Sequence, residues 1–377
     1  MNFAFTEEQQ ELRAAARAFL ADASSSERVR AAMASEQGYD PEVWKRIGNE
    51  LGWPSAIVPE NCGGLGLGAV ELVALAEAMG EVLLCSPFFA TVCLAAQVVL
   101  AAGSDEQQRH YLAPLAAGQV RAALATTERD LPPDAVALVA RRDGDAYQLD
   151  GAKRYVVDGH SADWIAVSAR APGSSGDDGV SLFVVPGDAA GLTRRGLPTM
   201  DMTRRQAELR FAGVRVPAAA RLGEEGAGAA PLRRALDLGA IALAAESVGG
   251  AQRCLDLSVA YAKQREQFGR PIGSFQAIKH KCADMMVWVE TARSAAYYAA
   301  CAAAEEKADL ATAASLAKAY CCEAYYRCAA ETIQIFGGVG FTWEYDPHLY
   351  FKRARASESL LGTPAWHRER VAKAIGL

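Results

Sequence analysis

The sequence predicts an α+β chain in three parts: an N-terminal helical domain over residues 1–119, a middle β domain over 120–225 and a C-terminal helical bundle over 226–377. Three observations predict it. Apolar residues recur at helical spacing through the first third. Near Val120 the texture changes to short Val-, Leu- and aromatic-rich runs separated by turn pairs. Beyond Gly226 the chain becomes Ala-rich and free of strong breakers for long stretches. At 377 residues the chain is long enough for two or three buried cores.

In the first part, Thr6 stands as an N-cap before Glu7-Glu8, and Leu12, Ala15, Ala16, Phe19 and Leu20 follow on one helical face. A turn from Pro59 to Gly68 precedes a helix over 69–79, another over 90–102, and a short amphipathic one opening at Ser104-Asp105-Glu106. In the middle part, runs at 147–149, 154–157, 164–169, 180–185 and 207–211 read as strands of one β domain. Asp143-Gly144, Asp150-Gly151 and Asp158-Gly159 supply turns, and the polar stretch Pro172 to Gly179 is a hairpin tip. In the last part, helices are expected at 229–264, 274–305, 309–336 and 346–360, packed tightly through small residues.

Composition narrows the function classes. The chain is 51% hydrophobic and 22% charged, which suits a globular protein. Its 45 acidic and 39 basic residues leave a net charge of −6, which argues against nucleic acid as a partner. Nine cysteines without a CxxC pair read as reduced thiols of a cytoplasmic protein, and the five histidines complete no metal set. The charged first twenty residues read as neither a signal nor a transit peptide. Val82 to Ser104 carries no charge, but Ser86-Pro87, Thr91 and Gln97 interrupt it, so two buried core pieces are expected rather than a membrane span.

The motifs are individually modest. Gly63-Gly64-Leu65-Gly66-Leu67-Gly68 lacks the spacing of a dinucleotide loop and follows no strand, so a glycine turn is the reading. Arg265-Glu266-Gln267-Phe268-Gly269-Arg270-Pro271-Ile272-Gly273 closes one helix before Ser274 opens the next. Its arginines suit a pyrophosphate and its Phe268 a ring, although a basic helix end serves the dipole equally well. Gln334 to Phe341 ends a helix in glycines, either as a C-cap or to let a ligand approach backbone.

Taken together and in order, these segments make the chain resemble the acyl-CoA dehydrogenase family over essentially its full length. The matches are Phe5 to Gln9, Pro59 to Gly66, Thr127-Glu128, Asp150-Gly151-Ala152-Lys153, Leu222 to Gly226, Arg265 to Gly273 and Gln334 to Phe341. The resemblance implies bound FAD, with Leu124, Thr126, Thr127 and Tyr155 against the flavin ring and Arg265, Gln267 and Phe268 reaching the FAD of a neighbouring subunit. It assigns Gln334 and Gly338 to the adenosine and pyrophosphate side and Thr363 to a phosphate, in a homo- or hetero-tetramer. The implied reaction is α,β-desaturation of an acyl-CoA thioester: a carboxylate takes the α-proton, the β-hydrogen leaves as hydride to the flavin, and an electron-transfer flavoprotein takes the electrons.

The chain departs from that pattern at the chemistry. The family's common catalytic glutamate precedes a Gly-Thr pair; Gly362-Thr363 is present, but Leu361 stands before it. Leucine takes no proton, although its backbone N–H still suits an oxyanion donor. The alternative base position is Gly239, followed by Ala240 where an arginine is usual. Arg129-Asp130-Leu131-Pro132-Pro133 replaces a Gly/Ser-rich loop, and Val157 a frequent Thr or Ser. Glu246, the only charge between Asp237 and Arg253, lies about two turns beyond Gly239 and is the tentative base; the alternatives are a pair with a basic residue of a neighbouring helix or a side chain that simply points to solvent.

Three readings follow from the resemblance: an active dehydrogenase, a non-catalytic FAD-binding partner in a mixed tetramer, or an oxidase or monooxygenase on the same fold. Leu361 and Gly239 leave room for branched, cyclic, dicarboxylic or steroid-like acyl groups, without choosing between fatty acid and steroid β-oxidation.

Overall fold

The computed structural model describes residues 6–128 and 132–377. In chain order its helices are α1 Glu7–Ala23, α2 Ser26–Ala34, α3 Pro41–Asn49, α4 Ala69–Glu81, α5 Ala96–Ala102 and α6 Asp105–Ala116. Strands β1 Ala122–Ala125, β2 Val139–Asp143, β3 Ala146–Val157, β4 Trp164–Arg170, β5 Val180–Pro186, β6 Leu192–Gly196, β7 Gln206–Pro217 and β8 Arg221–Leu222 follow. The C-terminal stretch holds α7 Ala229–Gln264, the two-residue strands β9 Glu266–Gln267 and β10 Arg270–Pro271, then α8 Gln276–Ala304, α9 Leu310–Phe336, α10 Pro347–Ser359 and α11 Pro364–Ala374. Residues 1–31, 69–84 and 240–377 pack as one compact unit, and 32–68 with 85–239 as the other. The helices of the first third are thus divided between the two.

In the sheet-bearing unit, one path of strands runs β6-β7-β3-β2-β4-β5-β8, with β1 added in parallel to β4. The hairpin tip read at 172–179 joins β4 to β5, which pair antiparallel from Trp164↔Pro186 to Arg170↔Val180. The runs read as two strands at 147–149 and 154–157 are a single strand. A register shift at Leu149/Gly151 absorbs the Asp150-Gly151 pair as a bulge instead of a turn, and a second lies at Lys153/Val156. Ala123, Leu138, Tyr147, Leu149, Ile165, Phe183 and Leu209 form the buried centre of this unit.

The stretch read as a helix over 90–102 opens as a π-helical segment, Phe89–Ala95, before α5. The buried Thr91 hydroxyl there donates to Ala122 O at 3.2 Å and accepts from Ala122 N at 3.0 Å, so the residue that breaks the apolar run caps the start of β1. Among the described residues no helix is long and apolar enough to cross a membrane. The glycine turn at 63–68 is also present: Gly63 and Gly66 have φ of 80° and 61°, values that favour glycine.

In the helical unit, α9 packs against α8, α10 and α11, and α4 against α1 and α8. Small residues set the spacing. A Cβ on Gly249 would collide with Glu77 O, one on Gly80 with Glu246 O, and one on Gly250 with the Tyr325 ring. Buried Glu77 takes Arg13 at 2.5 Å and Arg293 at 3.2 Å, tying α1 and α8 to α4. The expected helices over 229–264 and 309–336 match α7 and, within a residue, α9.

Candidate active site

In the sheet-bearing unit the residues assigned to the flavin ring sit where β1 ends and β3 bulges. Leu124 and Thr126 are buried, Thr127 is half-buried and Tyr155 is 47% exposed. Tyr155 has φ 56°, an unusual backbone for a non-glycine residue, at the second bulge of β3. Arg154 N donates to Thr127 O at 2.9 Å, joining the bulge to the strand exit. Val157 is buried, and Arg129, Asp130 and Leu131 of the divergent loop lie outside the described residues.

Beneath this stretch lies Lys153, quoted above only as part of a motif. Its ammonium is fully buried and donates to Thr126 O at 3.1 Å, Glu128 Oε1 at 2.5 Å and Ser168 Oγ at 3.1 Å. Glu128 Oε1 also accepts from Ala137 N at 2.8 Å and Leu138 N at 3.0 Å. Burial pushes the Lys153 pKa down to about 8, against the attraction of Glu128. The pair fixes the segment that carries Thr126 and Thr127. A lysine at an inward strand position was the available signal.

In the helical unit, Arg265 to Gly273 is a small hairpin rather than a helix end running into a helix start. Gln267 pairs with Arg270, and Phe268 and Gly269, with φ of 55° and 75°, form the turn. The two successive positive φ values let the chain reverse within two residues, after α7 has ended at Gln264. Arg265 and Gln267 are exposed, and Phe268 is 92% exposed at the tip, edge-on to Phe275 at 6.0 Å. Gln334 is exposed near the end of α9; a Cβ placed on Gly337 or Gly338 would meet no atom within 4 Å. Of the two readings of these glycines, Gly337, with φ 66°, ends the helix, and the backbone beside Gly338 stands open.

The position of the family's base lies in the turn between α10 and α11. Leu361 is buried, with φ 57°; Gly362 follows with φ 103°, and its missing Cβ would strike the Trp366 ring. Thr363 caps α11 by accepting from Trp366 N at 3.2 Å, which leaves its hydroxyl proton free to donate. His367 bonds Leu361 O at 3.0 Å, and Lys318 of α9 donates to Gly362 O and, at 2.8 Å, to Glu358 O. Among the described residues the backbone N–H groups of Leu361, Gly362 and Thr363 meet no acceptor in the chain. Sequence reasoning passed over Lys318 and His367, although Lys318 is the only charge between Asp309 and Glu323.

Glu246 is buried and bonded to the equally buried Arg353 of α10, Oε1 to Nη1 at 2.5 Å. Of the readings open from sequence, a base, an ion pair or a solvent-facing side chain, the structure shows the ion pair with a neighbouring helix and a buried side chain. That pair accounts for a carboxylate in an apolar setting without assigning it a proton to move. Gly239 is buried on α7 and offers no proton acceptor.

The N-terminal, middle and C-terminal domain families of the acyl-CoA dehydrogenases match residues 6–119, 123–214 and 226–376. These matches span most of the chain, which belongs to the acyl-CoA dehydrogenase family. Acyl-CoA dehydrogenase IpdE2 of Mycobacterium tuberculosis is 37% identical over 364 residues, covering 95% of this chain and 94% of its own. The structure of butyryl-CoA dehydrogenase from Megasphaera elsdenii superposes with TM-score 0.92 at 30% identity, covering 100% of both chains. The ChsE4-ChsE5 complex from Mycobacterium tuberculosis gives TM-score 0.90 at 29% identity, over 100% of this chain and 99% of that one.

Proposed function

We propose that the chain catalyses, or completes an assembly that catalyses, FAD-dependent α,β-dehydrogenation of an acyl-CoA thioester. Family membership along the whole chain carries the reading. The residues present fit FAD: a half-exposed Tyr155 on a bulged strand beside Thr127 can cover a ring, and the open backbone at Gly337-Gly338 admits a close ligand. Arg265, Gln267 and Phe268 offer cationic, amide and aromatic contacts to a neighbouring chain's cofactor, with Gln334, Gly338 and Thr363 on its adenosine and phosphate side. When bound, FAD supplies the two-electron acceptor. The protein's part is to hold the thioester carbonyl on the N–H groups of the 361–363 turn and to exclude water.

A second reading is favoured by a specific observation. The usual base position holds Leu361, the alternative holds Gly239, and Glu246 is engaged by Arg353. The chain is then a subunit of a mixed tetramer in which a second chain brings the carboxylate. The likeness to the ChsE4-ChsE5 complex supports this, and residues 1–119, 120–225 and 226–377 are the three segments proposed for this chain. A cytoplasmic location and an electron-transfer flavoprotein as acceptor complete the proposal.

Purification of the chain alone tests both readings. A yellow protein whose 450 nm band bleaches anaerobically with an acyl-CoA supports autonomous dehydrogenation. A yellow protein that bleaches only after a second family member is added supports the mixed assembly. A colourless chain that takes up no FAD in either setting rejects both. Rapid reoxidation of the reduced protein by oxygen would instead favour the oxidase or monooxygenase reading.

A further inference from the structure

The turn at 361–363 is held by two side chains that come from outside it. A carbonyl oxygen only accepts, so the His367 ring proton must sit on Nε2 to bond Leu361 O. Burial and the nearby Lys318 charge push the His367 pKa down to about 3, which keeps the ring neutral with Nδ1 bare. Lys318, also buried, spans from Glu358 O to Gly362 O. Three carbonyls of one short stretch are therefore turned onto two side chains of α9 and α11.

Peptide planarity carries this to the other face. The Leu361 carbonyl and the Gly362 N–H belong to one rigid unit and point in opposite directions. The same holds for the Gly362 carbonyl and the Thr363 N–H. Fixing both carbonyls fixes both N–H groups away from Lys318 and His367. The left-handed backbone of Leu361 follows from that arrangement, since a leucine adopts φ 57° only where its surroundings enforce it.

We propose that Lys318 and His367 are positioning residues, which clamp the 361–363 turn so that its N–H groups stand as donors for the thioester oxygen although the base position holds leucine. The inference rests on the acyl-CoA reading above. It explains why a turn without its carboxylate keeps a strained leucine, a glycine whose Cβ would strike Trp366, and two buried polar side chains beneath them.

The test uses the full-length, FAD-loaded protein, with its partner chain where one is required. Short, branched and ring-bearing acyl-CoA thioesters are each paired with the thioether that lacks the carbonyl oxygen, and binding is read from the shift of the flavin band. The unmodified protein should prefer a thioester over its thioether by roughly tenfold. Lys318→Met and His367→Leu should reduce that ratio to within about twofold at unchanged FAD content, and His367→Gln, which retains a donor, should restore it. Should Lys318→Met fail to fold, the two His367 variants carry the comparison.

Folded variants that keep the full preference overturn the inference. So does equal weakening of thioester and thioether, which marks a purely structural role. An unmodified protein that binds FAD and thioesters without preferring them over thioethers overturns the clamp alone. One that binds no acyl-CoA removes the functional reading and the clamp together.

Discussion

Arg353 and Glu246 meet at 2.5 Å in the interior of the helical unit, each side chain nearly closed off from water. Removing one partner of such a pair strands a buried charge, a loss of about 3–5 kcal/mol. Glu246→Gln and Arg353→Met should each lower unfolding stability on that scale, and the double variant should lose less than the sum. Urea unfolding of the four proteins measures it. A stable Glu246→Gln protein that keeps FAD and no longer bleaches would return Glu246 to the role of base.

Leu361→Glu places a carboxylate at the family's usual base position. In the isolated chain this variant should bleach the flavin with an acyl-CoA at least a hundredfold faster than the unmodified protein, the scale on which a general base acts. Stopped-flow absorbance at 450 nm decides. An unmodified chain that already bleaches at full rate contradicts the vacancy.

The neutral state of His367 makes stability pH-dependent. Its folded pKa of about 3 lies below the 6.5 of an exposed imidazole, so the unfolded chain binds the proton that the folded chain refuses. The contribution is complete above pH 6.5 and is lost as pH falls from there towards 3. Between pH 7 and pH 5 the loss is about 2 kcal/mol. His367→Gln should lack this increment, so the difference between the two proteins' urea midpoints should narrow on acidification.

Phe268→Ala and Arg265→Met should leave the circular dichroism and melting temperature of the FAD-free protein unchanged, because both side chains face solvent. Each should weaken FAD retention by roughly tenfold, the scale of one aromatic or charge-assisted contact. The ratio of absorbance at 450 to 280 nm after gel filtration reports it. Full retention in both variants removes the hairpin from the cofactor site.

The buried Lys153 holds Thr126 and Glu128 together, so Lys153→Met should destabilise the sheet-bearing unit by a few kcal/mol. Relief by a second change, Glu128→Leu, would identify the stranded carboxylate as the source.

Long helices and the β texture were legible because periodicity is a local property; α7 and α9 fall where spacing puts them. The middle strands were located but cut wrongly at Asp150-Gly151, since a bulge and a turn use the same residues. The hairpin at 266–271 was hidden because Phe268 adopts a positive φ that its residue type does not announce. Glu246 stood out as a lone charge, yet its partner lies 107 positions away, a pairing no local pattern encodes. Lys318 carried the same signal within α9 and went unread, while His367 had none: its task depends on where the chain turns back after α10.

The ring of Phe268 is left 92% exposed by its own chain, an apolar surface that packs only edge-on against Phe275. If Phe268 covers a neighbouring chain's cofactor as proposed, the protein's colour depends on association: dilution should strip the flavin while every helix stays intact, so that protein concentration, ahead of temperature, governs whether a preparation is holoenzyme.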